Sequence, residues 1–160
     1  MGRLSVHLNA PQGHVLPEGL LERAVQLTLR EEGHEEGEVS VTFLSDAAIR
    51  EMNERWLGHD EPTDVLAFAL HEPGHDPLGD VYVGFEAAGR QATAEGVALE
   101  EELARLVIHG TLHVLGYDHP KGGSRERLRS AHFQRQEALL AQLLPAHDDD
   151  ERLLRTDREG

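Results

Sequence analysis

The amino-acid sequence predicts an α+β fold: a small mixed four-stranded sheet packed with about five helices, in a single domain. Three observations carry this expectation. Short segments with a hydrophobic period of two alternate with longer segments of the 3.6-residue helical period. Their order is β-α-β-α-β-β-α-α-α, without internal repeats and without the regular βαβ alternation of nucleotide-binding folds. The length, 160 residues with 39 % hydrophobic and 28 % charged, suffices for one core and is short for two.

The elements follow in order. Leu4–Asn9 places Leu4, Val6 and Leu8 on one face of a short strand. Pro17 opens a helix to about Arg30, whose stripe is Leu20, Leu21, Ala24, Val25, Leu27 and Leu29. Gly33 and Gly37 punctuate the chain before Glu38–Leu44, a strand with Val39, Val41 and Phe43 on one side. Ser45 is a natural N-cap for a helix through Trp56 that turns Ala48, Ile49 and Met52 inward. After a polar loop, Gly58–Thr63, the apolar run Val65–Leu70 reads as a third strand buried on both faces. The Pro- and Gly-rich segment from His71 to Asp80 reads as a loop, and Asp80–Phe85 as a fourth strand. A helical pattern starts at Glu86, pauses at Gly96 and resumes from Leu99 to Leu115. Ser124–Leu144 forms the last helix. The domain spans 1–145, and the acidic remainder, 146–160, reads as a disordered tail.

The absence of cysteine excludes disulfides and thiolate metal sites, so a metal must be held by His, Asp or Glu. Thirty acidic against 15 basic residues give a net charge of −15, which favours solubility over indiscriminate adhesion to nucleic acid or anionic membrane. With no apolar leader and no run long enough to span a bilayer, a cytoplasmic protein without a membrane partner is expected. Three glycines near the fourth strand, Gly84, Gly89 and Gly96, lack the spacing of a phosphate loop.

The chemistry concentrates in HGTLHVLGYDH, residues 109–119. His109 and His113 stand four apart on a strongly helical segment, so their imidazoles project from one face, one turn apart. Gly116 can adopt the left-handed conformation that ends a helix, and the chain can then return His119 toward the first two. Three imidazoles leave a tetrahedral ion one open position, the arrangement of a catalytic zinc site, at which the pKa of water falls to about 7. The expected cofactor is therefore one zinc ion per chain, held by His109, His113 and His119. The other reading of a His-x-x-x-His pair, exposed histidines on a helix, is outweighed by the third histidine in this register.

The spacing is also that of the zincin motif H-E-x-x-H-x-x-G-x-x-H, except that Gly110 stands where zincins carry their general-base glutamate. Asp118 is the nearest carboxylate in sequence and either orients a ligand imidazole or serves the turn. Lys121, Arg125, Arg127, Arg129 and Arg135 face a single acid, Glu126, between residues 120 and 135. That cluster is either a phosphate-binding rim, with Lys121, Arg125 and Arg129 as its candidates, or a solvated helix face.

The histidine motif, together with PTDVLAF (62–68) and LGDVYV (78–83), resembles the bacterial YbeY family of rRNA-maturation endoribonucleases over roughly Val39–Leu144. The resemblance implies that His109, His113 and His119 bind zinc in a small mixed sheet packed with helices. It further implies cleavage of single-stranded RNA in maturing the 16S 3′ end and in ribosome quality control, with the ribosome or its small subunit as partner and no DNA. Leu57 stands where many members have an arginine, Arg55 being two positions off, and Ala67 where a serine is common. Two other functions fit parts of the pattern. A zincin-like metallopeptidase is suggested by the spacing and opposed by Gly110. A non-catalytic, zinc-stabilised ribosome assembly factor agrees with the lack of an obvious general base.

Overall fold

A computed structural model describes residues 3–57, 64–117 and 125–144. The expected loop at Gly58–Thr63, the capping Ser124, the domain limit at 145 and the tail 146–160 lie outside the described residues. Within them the order is β1 (Leu4–Asn9), α1 (Glu18–Glu31), β2 (Gly37–Leu44), α2 (Asp46–Leu57), β3 (Val65–Ala69), β4 (Leu78–Gly84), α3 (Phe85–Glu95), α4 (Leu99–Val114) and α5 (Arg125–Leu143). The four strands form one mixed sheet in the order β1-β2-β4-β3. β1 pairs parallel with β2, and β2 with β4, while β3 pairs antiparallel with β4. The expected α+β architecture is the one observed.

Alternation along the strands sorts the side chains into two layers. Val39, Val41 and Phe43 of β2 and Val81 and Val83 of β4 are fully buried in the main core, with Leu21, Val25 and Leu29 of α1 and Leu103, Val107 and Leu112 of α4. Each such side chain contributes roughly 1.5–3 kcal/mol by leaving water. Leu44 and Leu66 belong instead to a smaller cluster with Ile49 of α2, against which Met52, Phe68 and Tyr82 pack. The sheet thus carries α2 over one face and the α1/α4 layer over the other. Ser45 caps α2 as expected, its Oγ accepting from the Ala48 N–H at 3.3 Å. Arg90 of α3 donates twice to Asp46 at the start of α2 (2.8 and 3.0 Å), and this hydrogen bonding holds the Asp46 carboxyl below the usual carboxylate range.

α4 is the element that positions the site. It lies against β3 and β4 and is flanked by α1, α3 and α5. Glycine occupies a position on each surface of this contact, and neither leaves room for a side chain. A Cβ on Gly79 of β4 would come within 2.5 Å of Val114 Cγ1, and a Cβ on Gly110 of α4 would fall under 3.0 Å from Val81 Cγ1. Larger residues at either position would force helix and strand apart.

Three expectations are corrected. β3 is an edge strand in which only Leu66 is buried, because no strand among the described residues flanks its other side. Leu70 lies past its end and is exposed. β4 begins at Leu78, two residues earlier than expected, since parallel pairing of Glu38 with Leu78 and Val39 with Gly79 recruits part of the anticipated loop. The loop between β3 and β4 spans residues 70–77.

Candidate metal centre

The metal-binding potential of α4 follows from its two faces. Leu103, Val107, Gly110, Thr111 and Val114 are buried, leaving His109 and His113 half-buried beside α5. Their side chains are adjacent as the spacing of four requires: the two Nε2 atoms face each other at 3.0 Å, and the rings are tilted by 73°. Two nitrogens bound to one tetrahedral zinc at 2.0–2.1 Å stand about 3.3 Å apart, so this pair needs only a small adjustment to chelate. Helix α4 ends as anticipated. Gly116 takes φ 96°, its N–H donates to the His113 carbonyl (2.9 Å), and the Tyr117 N–H donates to the Leu112 carbonyl (3.1 Å).

His119 and Asp118 follow this turn and lie outside the described residues, as does Lys121. Arg125 and Arg129 fall in α5, but their side chains are outside the described set too. Arg135, the last cation of the basic cluster, is engaged elsewhere. It donates to Glu32 at 2.9 Å and to the Glu31 carbonyl at 3.1 Å, and Tyr117 also donates to Glu32. Burial, and then the Glu32 carboxylate, raise the Tyr117 phenol above its ordinary pKa. This trio fastens the C-terminal ends of α1 and α4 to the middle of α5, so Arg135 serves packing and is not part of a phosphate rim.

Two residues that the sequence reading did not single out also belong to the site, both on α5. His132, almost fully buried, places a ring nitrogen within 4.8 Å of nitrogens of His109 and His113, and the three could hold a metal ion. Its ring, however, is stacked on that of His109, centroids 4.1 Å apart and planes 11° from parallel. A metal lies near the plane of each imidazole that binds it, and two stacked parallel rings share no such point. As arranged, His132 walls in His109 and bonds its backbone carbonyl through Nε2 at 3.2 Å; to become a ligand it must rotate off the stack. Gln136, one turn later, sets its Oε1 2.6 Å from His109 Nδ1. The signal for both was a polar residue in the buried register of α5, where 132, 136, 139, 140 and 144 face inward. Phe133, next to His132, is large and apolar yet exposed, so hydrophobicity alone does not mark that register.

Further from the histidines, Arg105 of α4 donates to Glu137 (2.9 Å), Glu102 (2.6 Å) and Glu101 (3.4 Å). Burial alone would lower the guanidinium's pKa, yet its bonds to Glu137 and Glu102 hold it well above the ordinary value. No helix among the described residues is long and apolar enough to cross a membrane.

Comparison with known proteins places the chain in a family. The family described as Endoribonuclease YbeY matches residues 14–143. An endoribonuclease of that description from Pelotomaculum thermopropionicum is 44 % identical over 133 residues, covering 78 % of this chain and 85 % of the relative. Its counterpart from Thermus thermophilus is 41 % identical over 133 residues, covering 78 % and 92 %. The solution structure of a Thermotoga maritima protein superposes with a TM-score of 0.61 at 28 % identity, covering 91 % of this chain and 93 % of that one.

Proposed function

The chain belongs to the YbeY family of endoribonucleases, and from that premise we propose that it is a zinc-dependent endoribonuclease acting on single-stranded RNA in ribosome maturation. The observation that most supports this is the pair of Nε2 atoms of His109 and His113, facing each other at 3.0 Å on one helix. In the proposed centre His119 is the third donor, brought in after the Gly116 turn, and one zinc ion is bound per chain. The donor set fits: neutral imidazoles suit zinc, and three of them leave a position for water or substrate. Bound there, the ion supplies Lewis acidity toward a phosphoryl oxygen and an activated water.

The protein's own groups do the rest. His109 and His113 orient the ion from a helix buried on its sheet side, so their geometry is set before substrate arrives. Lys121, Arg125 and Arg129 hold the phosphates flanking the scissile bond, and Asp118 steadies a ligand imidazole. The substrate we infer is rRNA near the 16S 3′ end, met on the small ribosomal subunit in the cytoplasm. A peptidase reading is disfavoured by the direction of Gly110, whose absent side chain would point between α4 and β4.

Cleavage of single-stranded RNA by the purified protein, with and without a chelator, tests this function. Cleavage that stops on chelation and returns with zinc is expected, with no digestion of unfolded protein; chelator-resistant cleavage, or zinc-dependent proteolysis, would refute it. The basic rim is tested separately. Changing Lys121, Arg125 and Arg129 to Gln should reduce the slope of log affinity against log salt by about 2–3, because each phosphate contact contributes roughly 0.7–0.9. An unchanged slope with unchanged zinc content would assign these residues to a solvated face.

A further inference from the structure

We propose that Gln136 is a positioning residue for the metal centre: it holds the His109 imidazole in the tautomer with its proton on Nδ1, so that the Nε2 lone pair faces His113. This inference rests on the proposed metal site and concerns how the protein prepares it.

The argument is one of donors and acceptors. Gln136 is almost completely buried on α5, with both ends of its amide engaged. Nε2 donates to Glu137 Oε2 at 3.0 Å, and Oε1 lies 2.6 Å from His109 Nδ1. A carboxylate only accepts, so the amide NH2 must be the end that faces Glu137. That leaves the amide carbonyl toward His109, and a carbonyl only accepts as well. Nδ1 must therefore carry the proton, and in a neutral imidazole the other nitrogen then carries the lone pair. This is the nitrogen that faces His113 Nε2. Were the amide turned over, its NH2 would bond Nδ1 and the imidazole proton would sit on Nε2, where it would block a metal.

The amide is kept from turning over by a relay anchored on charge. Arg105 donates to both oxygens of Glu137, at 2.9 and 3.3 Å, and is itself held by the buried Glu102. Glu102, Arg105 and His109 lie on one side of α4 (i, i+3, i+7), while Gln136 and Glu137 of α5 bridge between them. The His132 ring, stacked on a face of the His109 imidazole, blocks its rotation. An uncommitted buried glutamine would need only some partner for each end; this one has an order of partners that selects a single tautomer. Residues that orient a ligand imidazole typically change metal affinity by about 10- to 100-fold when removed.

The test uses Gln136→Met, which keeps the length of the side chain and removes the acceptor, and Gln136→Glu, which keeps an acceptor for Nδ1–H. Two measurements are made on the full chain: the His109 tautomer from imidazole 15N chemical shifts in the metal-free protein, and zinc affinity by chelator competition. Wild type should show the Nδ1–H form. Gln136→Met should lose that preference and bind zinc about 10- to 100-fold more weakly, with an unchanged circular dichroism spectrum. Gln136→Glu should retain the wild-type tautomer and bind zinc within a few-fold of wild type. Retention of the Nδ1–H form by Gln136→Met overturns the proposal. Should that variant not fold, an Nε2–H form of His109 in the wild type overturns it equally. If wild-type protein binds no zinc, the metal-centre reading fails, while the tautomer still decides the role of Gln136.

Discussion

Replacing His109 by alanine is expected to strip the metal from the protein and reduce its cleavage of single-stranded RNA to background. The proposed ion has three protein donors, and this change removes the one held by Gln136 and stacked on His132. If a four-ligand zinc site contributes about 10–16 kcal/mol, one imidazole accounts for roughly 3–4 kcal/mol, or two to three decades in affinity. The loss should exceed that caused by Gln136→Met, which leaves the ligand in place. A structural cost accompanies it. Without the imidazole, the Gln136 carbonyl is buried without its donor and the His132 ring loses its stacking partner, together roughly 1–3 kcal/mol. Elemental analysis should find less than a tenth of the wild-type zinc at equal protein concentration, and thermal melting should stay cooperative at a lower Tm. Wild-type rates of zinc-dependent RNA cleavage in this variant would remove His109 from the centre.

A glutamate at position 110 is expected to unfold the protein instead of converting it into a peptidase. In motif terms the change restores the zincin general base, one residue after the first histidine. In this fold the position points the wrong way. A Cβ there meets Val81 Cγ1 under 3.0 Å and Val65 Cγ1 at 3.1 Å, both stiff side chains of the sheet beneath α4. A glutamate would have to place a carboxylate between α4 and the β3/β4 pair, with no cation among the valines that line the gap. An unpaired buried carboxylate costs several kcal/mol even after protonation, against a total stability of about 5–15 kcal/mol for a domain. Gly110→Ala is the milder control: overpacking of about 1–3 kcal/mol, partly offset by up to about 1 kcal/mol of helix propensity. Circular dichroism should show Gly110→Glu largely unfolded at 37 °C and Gly110→Ala folded with a reduced Tm. A stable Gly110→Glu variant that hydrolyses unfolded protein would overturn this account of the helix–sheet contact.

The same glycine shows where sequence and tertiary structure divide the work. From the sequence, Gly110 is a missing base; from the structure it is also a packing requirement, matched by Gly79 across the contact. The first is visible because a motif is compared position by position along one chain. The second depends on which side of α4 meets the sheet and how closely.

The features legible in the residue pattern alone are those set by local geometry. The 3.6-residue period puts His109 and His113 on one face of α4 wherever that helix lies, and a left-handed glycine at 116 ends it. Ser45 caps α2, and alternation in β2 sends Val39, Val41 and Phe43 to one core, for similarly local reasons. Long-range packing set the rest. β3 became an edge strand because β4, recruited by β2 from residue 78, lies on only one side of it. Arg135 was drawn from the basic cluster to Glu32, 103 residues away in sequence, by the docking of α5 on α1. The surroundings of the metal pair came the same way. His132 and Gln136 lie 23 and 27 residues beyond His109, and no short-range period relates them. Only the packing of α5 against α4 brings a buried ring and a buried amide to the same imidazole, because a buried polar side chain must find its partner wherever the fold places one.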